Sequence, residues 1–523
     1  MILDSNELDA DTELQADLCI VGAGAAGITI AREFVGARAK IIVLESGAAN
    51  FEQETQALYA GRNVGRPYDL VATRLRFFGG TTNHWEGVCA PLSEIDFEVR
   101  PWVPASGWPI TRSDLIPFYK RAQSVVKLGP FLYDDDVWGY LKRNGLSIDR
   151  GKIRYNFRQM REFPIRFGEE YGDELRKAPN IRVFLHANVV NIQLDSSGRR
   201  VEYVDVRSLR GKSGRVSARY FVLACGGIEN ARILLVSNSV ETPGVGNRHD
   251  LVGRYFQEHP QFVLGTVFPT NEERFRTSFQ QGFVNGIRFL QHLVLSPAAQ
   301  RQNSVLDSLI FPNEIVKPDT GMAAAREIMA DLRSKREIED LDKKIWQILR
   351  DLDDVVINTY RRFVLDEGTL PPLARIELKV ESEQAPNPES RVTLLPEKDA
   401  LGLNRTRLNW LLTDIERRTA VVLAKTVAAE FGRLGLARVK LNPEMLQTSG
   451  SPPGGFGFHQ MGTTRMANDP TKGVVDRNCL VHGLGNLYIA GSSIFPTGGS
   501  VNPTLTIVAL ALRLSDHLKS RVT

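Results

Sequence analysis

Apolar positions along the chain change period several times, and each change marks an element. An unbroken apolar run at 18–21 ends in Gly22-Ala23-Gly24-Ala25-Ala26-Gly27, passes into helical spacing, and returns as a second run at 41–44 closed by Glu45. Short continuous runs joined by a helix predict a βαβ unit. Strand character recurs at 181–195, at 201–209 and at 220–224, the last leading through Gly226-Gly227 into a helix. Residues 261–320 look mixed, with strand-like runs such as QFVLGTVF. Residues 321–365 place apolar residues three and four apart amid dense charge, which predicts two amphipathic helices. A surface insertion is the plainer reading of them; a docking face for a membrane or a partner is the other. Residues 374–411 return to strands, with Pro386-Asn387-Pro388 as a hairpin turn. Residues 413–435 predict a helix capped by Thr413, with Glu416 completing a capping box, and a last helix starts near 503. Residues 55–130 show little periodicity and predict mostly ordered loop, which in a globular chain is often functional.

Length and composition narrow the class. A chain of 523 residues allows about three domains in series or two large interleaved ones. Lys and Arg number 65 against 61 Asp and Glu, spread along the chain, so no concentrated basic patch points to nucleic acid. An apolar fraction of 42% with 24% charged residues excludes disorder as the dominant state. Cys19, Cys89, Cys225 and Cys479 have no CxxC spacing and read as free thiols in a reducing compartment. The first fifteen residues carry five acids and no Lys or Arg, unlike a secretion signal, and no apolar run reaches the ~18 residues of a spanning helix. A cytoplasmic location is therefore the expectation. The histidines form no HxxxH or Cys/His cluster, so no metal is expected.

The glycine cluster fits GxGxxG in the setting that motif requires, after a strand and opening a helix. Gly22 allows the tight turn, Gly24 the approach of backbone N–H groups to a pyrophosphate, and Gly27 close packing of helix on strand. Ala25 and Ala26 bring the helix N-terminus to the phosphates. Glu45 lies 23 residues beyond Gly22, where an acid binds ribose hydroxyls. The continuation Glu45-Ser46-Gly47 resembles FAD enzymes more than NAD dehydrogenases.

Three further segments make the resemblance specific. The first is Leu75-Arg76-Phe77-Phe78-Gly79-Gly80-Thr81-Thr82-Asn83-His84-Trp85. The second is Gly457-Phe458-His459-Gln460-Met461-Gly462-Thr463. The third runs from the strand ending at Gly491 to Gly498-Gly499-Ser500-Val501-Asn502-Pro503-Thr504. Together they resemble the glucose–methanol–choline (GMC) oxidoreductases. In motif style they are closest to pyranose 2-oxidases and to bacterial sugar and glycoside 3-oxidases.

The resemblance implies an α/β flavoprotein of two domains. A Rossmann-like FAD domain would use 1–90, 180–260 and 465–523. A mixed-sheet substrate domain would use 91–179 and 261–464. Gly79, Gly80, Thr81 and Asn83 would lie along the flavin, Val189 would meet the adenine, and Ala224 and Gly491 would pack at the cofactor. His84 matches the position of a covalent histidyl–FAD bond in some members, the alternative being a loop histidine beside non-covalent flavin. Asn502, Pro503 and Thr504 would aim the last helix at the flavin. Gln257, His259 and Gln384 are candidate substrate contacts. Arg66, Arg74 and Arg76 are candidates for substrate or pyrophosphate.

The implied chemistry is oxidation of a secondary alcohol, at C2 or C3 of a pyranose. A neutral imidazole can take the hydroxyl proton, which casts His459 as base. An amide N–H₂ can hold the same oxygen without competing as a base, which casts Asn502 as its partner. Reduced flavin would pass electrons to oxygen or another acceptor. Two alternatives stand beside this: a non-sugar alcohol as substrate, and a flavoprotein subunit active only with an electron-accepting partner. A homo-oligomer is left open.

Overall fold

A computed structural model of the protein describes every residue except 10, 335, 365–369, 447–453 and 523. The described residues build two eight-stranded sheets and a small third one. The first sheet runs in the order Ile2–Asp4, Ile181–Leu185, Ile41–Leu44, Thr12–Val21, Ser213–Leu223, Val201–Arg207, Asn188–Leu194, and Leu487–Ile489 adds to Ser213–Leu223. Its centre is parallel, with Leu18 opposite Ile41 on one side and Tyr220 on the other. Leu18, Cys19 and Ile20 are wholly buried, as expected of a parallel strand covered on both faces. The run at 181–195 is not one strand. It breaks at His186, whose φ of +52° turns the chain, and its halves sit at different places in the sheet.

The second sheet includes Ile153–Arg161, Pro260–Pro269, Ile287–Leu295, Ser308–Val316 and Leu373–Ser382, and every pairing described in it is antiparallel. Helix Asp414–Arg433 packs on it, started by the expected capping box: Glu416 accepts the Thr413 N–H at 2.8 Å. Pro386-Asn387-Pro388 does not close a hairpin. Leu373–Ser382 is already paired on both edges, so the chain leaves this sheet, and Arg391–Lys398 pairs with Asn404–Asn409 in the third.

Residues 55–130 hold a helix that their weak periodicity hid. Thr111 and Asp114 form a capping box for Arg112–Val125. This helix and Phe167–Lys177 were expected with the second sheet, but their buried faces join the core of the first. Tyr119 Oη bonds Thr506 of the last helix at 2.9 Å, and Arg32 of the crossover helix bonds Glu174 at 2.7 Å. The described residues of 321–365 form three helices rather than two: Gly321–Ser334, Leu341–Arg350 and Leu352–Phe363. They leave Trp346, Leu349, Val356 and Ile357 exposed. No helix among the described residues is long and apolar enough to cross a membrane.

Candidate active site

The glycine loop is built by close approach. Gly22 has φ +102°, and a Cβ there would lie 2.7 Å from the Ala224 carbonyl oxygen. At Gly27 a Cβ would lie 1.9 Å from the Gly22 oxygen, so this glycine locks helix to strand and stays behind the loop. Glu45 is buried and accepts N–H bonds from Ala23 and Gly47, each at 2.9 Å. A carboxylate has about four lone-pair sites. The Ser46 hydroxyl donates as well, at 3.3 Å, so capacity remains for about one further donor from the cavity that Glu45 lines.

The second glycine turn docks on the first. Gly79 N–H bonds Ala23 O at 2.9 Å, and a Cβ on Gly80 would meet Gly24 Cα at 3.0 Å. Gly79 and Asn83 were expected at the cofactor but shape the turn instead. Gly79 is hemmed in by the backbone of Gly168, and the Asn83 amide donates to Phe78 O at 2.9 Å and Gly80 O at 3.0 Å. Their neighbours Gly80, Thr81 and His84 do line the cavity. His84 Nε2 is buried without a partner, and burial, followed by Arg166 and Arg336, lowers its pKa to about 4.

One cavity of about 810 Å³ joins the two sheets. From the first sheet and its loops it is lined by Gly22, Gly24, Ala25, Ala26, Glu45 and Ser46, and by Val189 and Ala224. Gly491 and Asn502-Pro503-Thr504 bring the start of the last helix to it. Arg74 and Arg76 also reach the wall, but both pair with Glu229, at 3.0 and 3.3 Å. Burial would raise the Glu229 pKa; Arg232, Arg74 and Arg76 overcome it and hold the carboxyl down at about 2.

His459 and Asn502 meet at this wall, with Asn502 Nδ2 3.1 Å from His459 Nε2. The proton positions follow from the partners. Arg158 Nη1 lies 2.7 Å from the other end of the Asn502 amide, and a guanidinium only donates. That end is therefore Oδ1, and Nδ2–H donates to Nε2. The His459 pKa is lowered to about 3 by burial, then by His259 and Arg158, so the ring is neutral and carries its hydrogen on Nδ1. Nδ1 lies 2.8 Å from Nδ1 of His259, which must accept. Neutral His259 then carries its hydrogen on Nε2.

Several residues of this arrangement escaped the sequence reading. Glu258, wholly buried, accepts the His459 N–H at 2.7 Å and the His259 N–H at 2.8 Å, tying the two backbones together. Glu381 accepts from Arg158 at 3.1 Å and Gln261 at 3.0 Å. Burial opposes its charge, but Arg158, His459 and His259 hold its pKa at about 2. The readable signal was charge at inward positions of strands, Arg158 in YNFRQMR and Glu381 in ELKVESEQ. Ligand atoms of His259, Glu381 and His459 fall within 4.8 Å of one another. Arg158 on the carboxylate and the bond between the imidazoles make this group a hydrogen-bond chain.

The three expected substrate contacts are displaced. Gln384 is buried and spends its amide on Glu258 N, Trp410 Nε1, Phe256 O and Leu411 O. Gln257 donates to Pro496 O from a wholly buried position, and His259 stands behind His459. The second sheet offers other side chains to the cavity: Gln261, Gln291, His292, Lys379 and the ring of Phe311.

Residues 386–511 match the family model described as GMC oxidoreductase. The solved structure of a formate oxidase superposes over 98% of this chain and 99% of its own, with a TM-score of 0.56 and 15% identity. The 2-methyl-1,2-propanediol dehydrogenase of Mycolicibacterium austroafricanum is 24% identical, over 97% of this chain and 96% of its own length. The C-terminal quarter of the chain is thus similar to the GMC oxidoreductases, and the likeness to the formate oxidase extends that fold over the whole chain. The protein is an FAD-dependent oxidoreductase acting on CH–OH groups, with an α/β fold of two domains. Over a shorter stretch it is also similar to the C-glycoside 3-oxidase of Microbacterium trichothecenolyticum, 33% identical over 24% of this chain and 23% of the relative.

Proposed function

We propose that this oxidoreductase converts a secondary alcohol of a sugar or glycoside, at C2 or C3 of a pyranose, to a ketone. The observation that carries the reading is the 3.1 Å contact between Asn502 Nδ2 and the lone pair of His459 Nε2 at the cavity wall. A hydroxyl oxygen entering between them accepts the Asn502 N–H and gives its proton to Nε2, which leaves the carbinol hydrogen to depart as hydride. Bound FAD supplies the hydride acceptor. The glycine loop, Glu45 and Val189 hold it in this reading, and His84, with its buried and unpartnered Nε2, is the candidate for a covalent bond to it.

A sugar is favoured by the second-sheet wall. Gln261, Gln291, His292 and Lys379 offer donors and acceptors around a polyol, while the Phe311 ring suits the C–H face of a pyranose. The similarity to a C-glycoside 3-oxidase points the same way. A small aliphatic diol is the second reading, favoured by the near full-length similarity to 2-methyl-1,2-propanediol dehydrogenase. Anaerobic mixing of the holoenzyme with pyranosides and with aliphatic diols separates the two. Bleaching of the flavin by pyranosides at lower concentration supports the sugar; bleaching by diols alone overturns it.

A further inference from the structure

The bond between His259 and His459 joins two like atoms, Nδ1 and Nδ1, at 2.8 Å. One proton and only one fits between them. In the resting state it belongs to His459, because Asn502 donates to the opposite nitrogen of that ring. His259 thus meets the base with a lone pair on the side away from the substrate. We propose that His259 is the proton partner of His459, so that the two imidazoles act as one relay; this rests on His459 being the base.

The step balances without a further reactant. The substrate O–H bond breaks and its proton goes to His459 Nε2, while the carbinol hydride goes to the flavin. The Nδ1–H bond of His459 breaks and an Nδ1–H bond forms on His259. His459 ends neutral in its other tautomer, and the positive charge rests on His259. From there the proton returns by the same route once product has left.

Burial opposes charge on either ring, and the carboxylate facing the pair favours it on both. Glu381, from the second sheet, lies within 4.8 Å of both rings and stabilises a cation on either. Burial is the largest influence against a cation on His259, and Arg158, elsewhere in the second sheet, adds to it, while Glu383 beyond Glu381 favours the charge. Glu258 accepts both backbones, and Asn502 and the Gly498-Gly499 turn close the remaining sides. His259 Nε2 points at that turn, where a Cβ on Gly498 would lie only 3.3 Å away. Nε2 has no hydrogen bond of ordinary geometry, and the Gly499 backbone is the polar group beside it that favours a proton there.

The test is the rate of flavin reduction by the best substrate in mixtures of H₂O and D₂O, for the holoenzyme and for His259→Asn. The Asn Oδ1 can accept the His459 Nδ1–H and hold the ring, but it cannot take the proton. The expected result is a bowed proton inventory in the wild type, a linear one in H259N, and reduction slowed about tenfold or more. A linear wild-type inventory overturns the relay, and needs no variant to fold. H259N reducing within about twofold of wild type, with an unchanged isotope effect, also overturns it. Wild-type reduction by H459A instead overturns the assignment of the base itself.

Discussion

Arg158 donates to Asn502 Oδ1 at 2.7 Å, and this contact decides which end of the amide faces His459. A flipped amide would set a carbonyl against the Nε2 lone pair and remove the N–H that the proposed reaction offers to a substrate oxygen. Arg158 is itself held by Glu381 at 3.1 Å and by the Ser500 carbonyl. The orientation of one proposed active-site group thus depends on an ion pair in the second sheet.

Arg158→Lys should keep a positive charge beside Glu381 but lose the planar fork that bonds Asn502 and Glu381 together. Flavin reduction should slow by about 10–100-fold, because misplacing a group that aligns the reacting oxygen costs that much. The flavin absorbance of purified protein should be unchanged. Stopped-flow reduction beside the absorption spectrum checks both.

His459→Ala should retain FAD and lose bleaching by substrate. The pH dependence of the wild type adds a second check. Burial lowers the His459 pKa to about 3, so the neutral, proton-accepting form persists as pH falls from 8 to 5. A base with the ordinary pKa of about 6.5 would lose roughly thirtyfold over that range. Here the kcat/KM for flavin reduction should fall less than about threefold between pH 8 and 5.

Glu229 should make stability depend on acid. Its folded-state pKa, about 2, is depressed from the usual 4.5, so its stabilisation is present above about pH 4.5 and disappears as pH falls toward 2. Glu229→Gln leaves Arg74, Arg76 and Arg232 without their shared anion, a loss of roughly 3–5 kcal/mol at neutral pH for a buried pair. Thermal melts should show that gap at pH 7 and a narrower one at pH 3.

Gly27→Ala should fail to hold FAD. The added Cβ would sit 1.9 Å from the Gly22 carbonyl oxygen, and that atom is backbone that cannot swing aside. The ratio of flavin to protein absorbance after purification should drop to near zero. Gly402→Ala is the control: its added Cβ meets nothing within 4 Å, and it should lose only the modest stability that a φ of +80° costs an L side chain.

Local patterns were enough for the elements whose cause is local. The βαβ unit, the glycine loop, Glu45 and the helix capped by Thr413 could all be read from the sequence, because spacing of a few residues dictates turn, helix start and strand. The cavity-lining role of His84, His459 and Asn502 followed from motif resemblance, and the fold brings all three to one cavity. Capping boxes are local too, but the Thr111–Asp114 one lies among glycines and prolines that hide the helical period after it.

Tertiary structure decided the rest. Arg158 and Asn502 are 344 residues apart and His259 and His459 are 200 apart; no local pattern couples them. Gln384 and Asn83 look like ligand-binding residues in sequence, and packing turns their amides onto backbone carbonyls instead. A polar side chain in a string of letters carries no record of which partner satisfies it. Burial assigns the partner, and burial exists only once distant strands have met. The sequence alone therefore determined the glycine loop and the candidate base; folding decided which proton that candidate holds and what stands behind it.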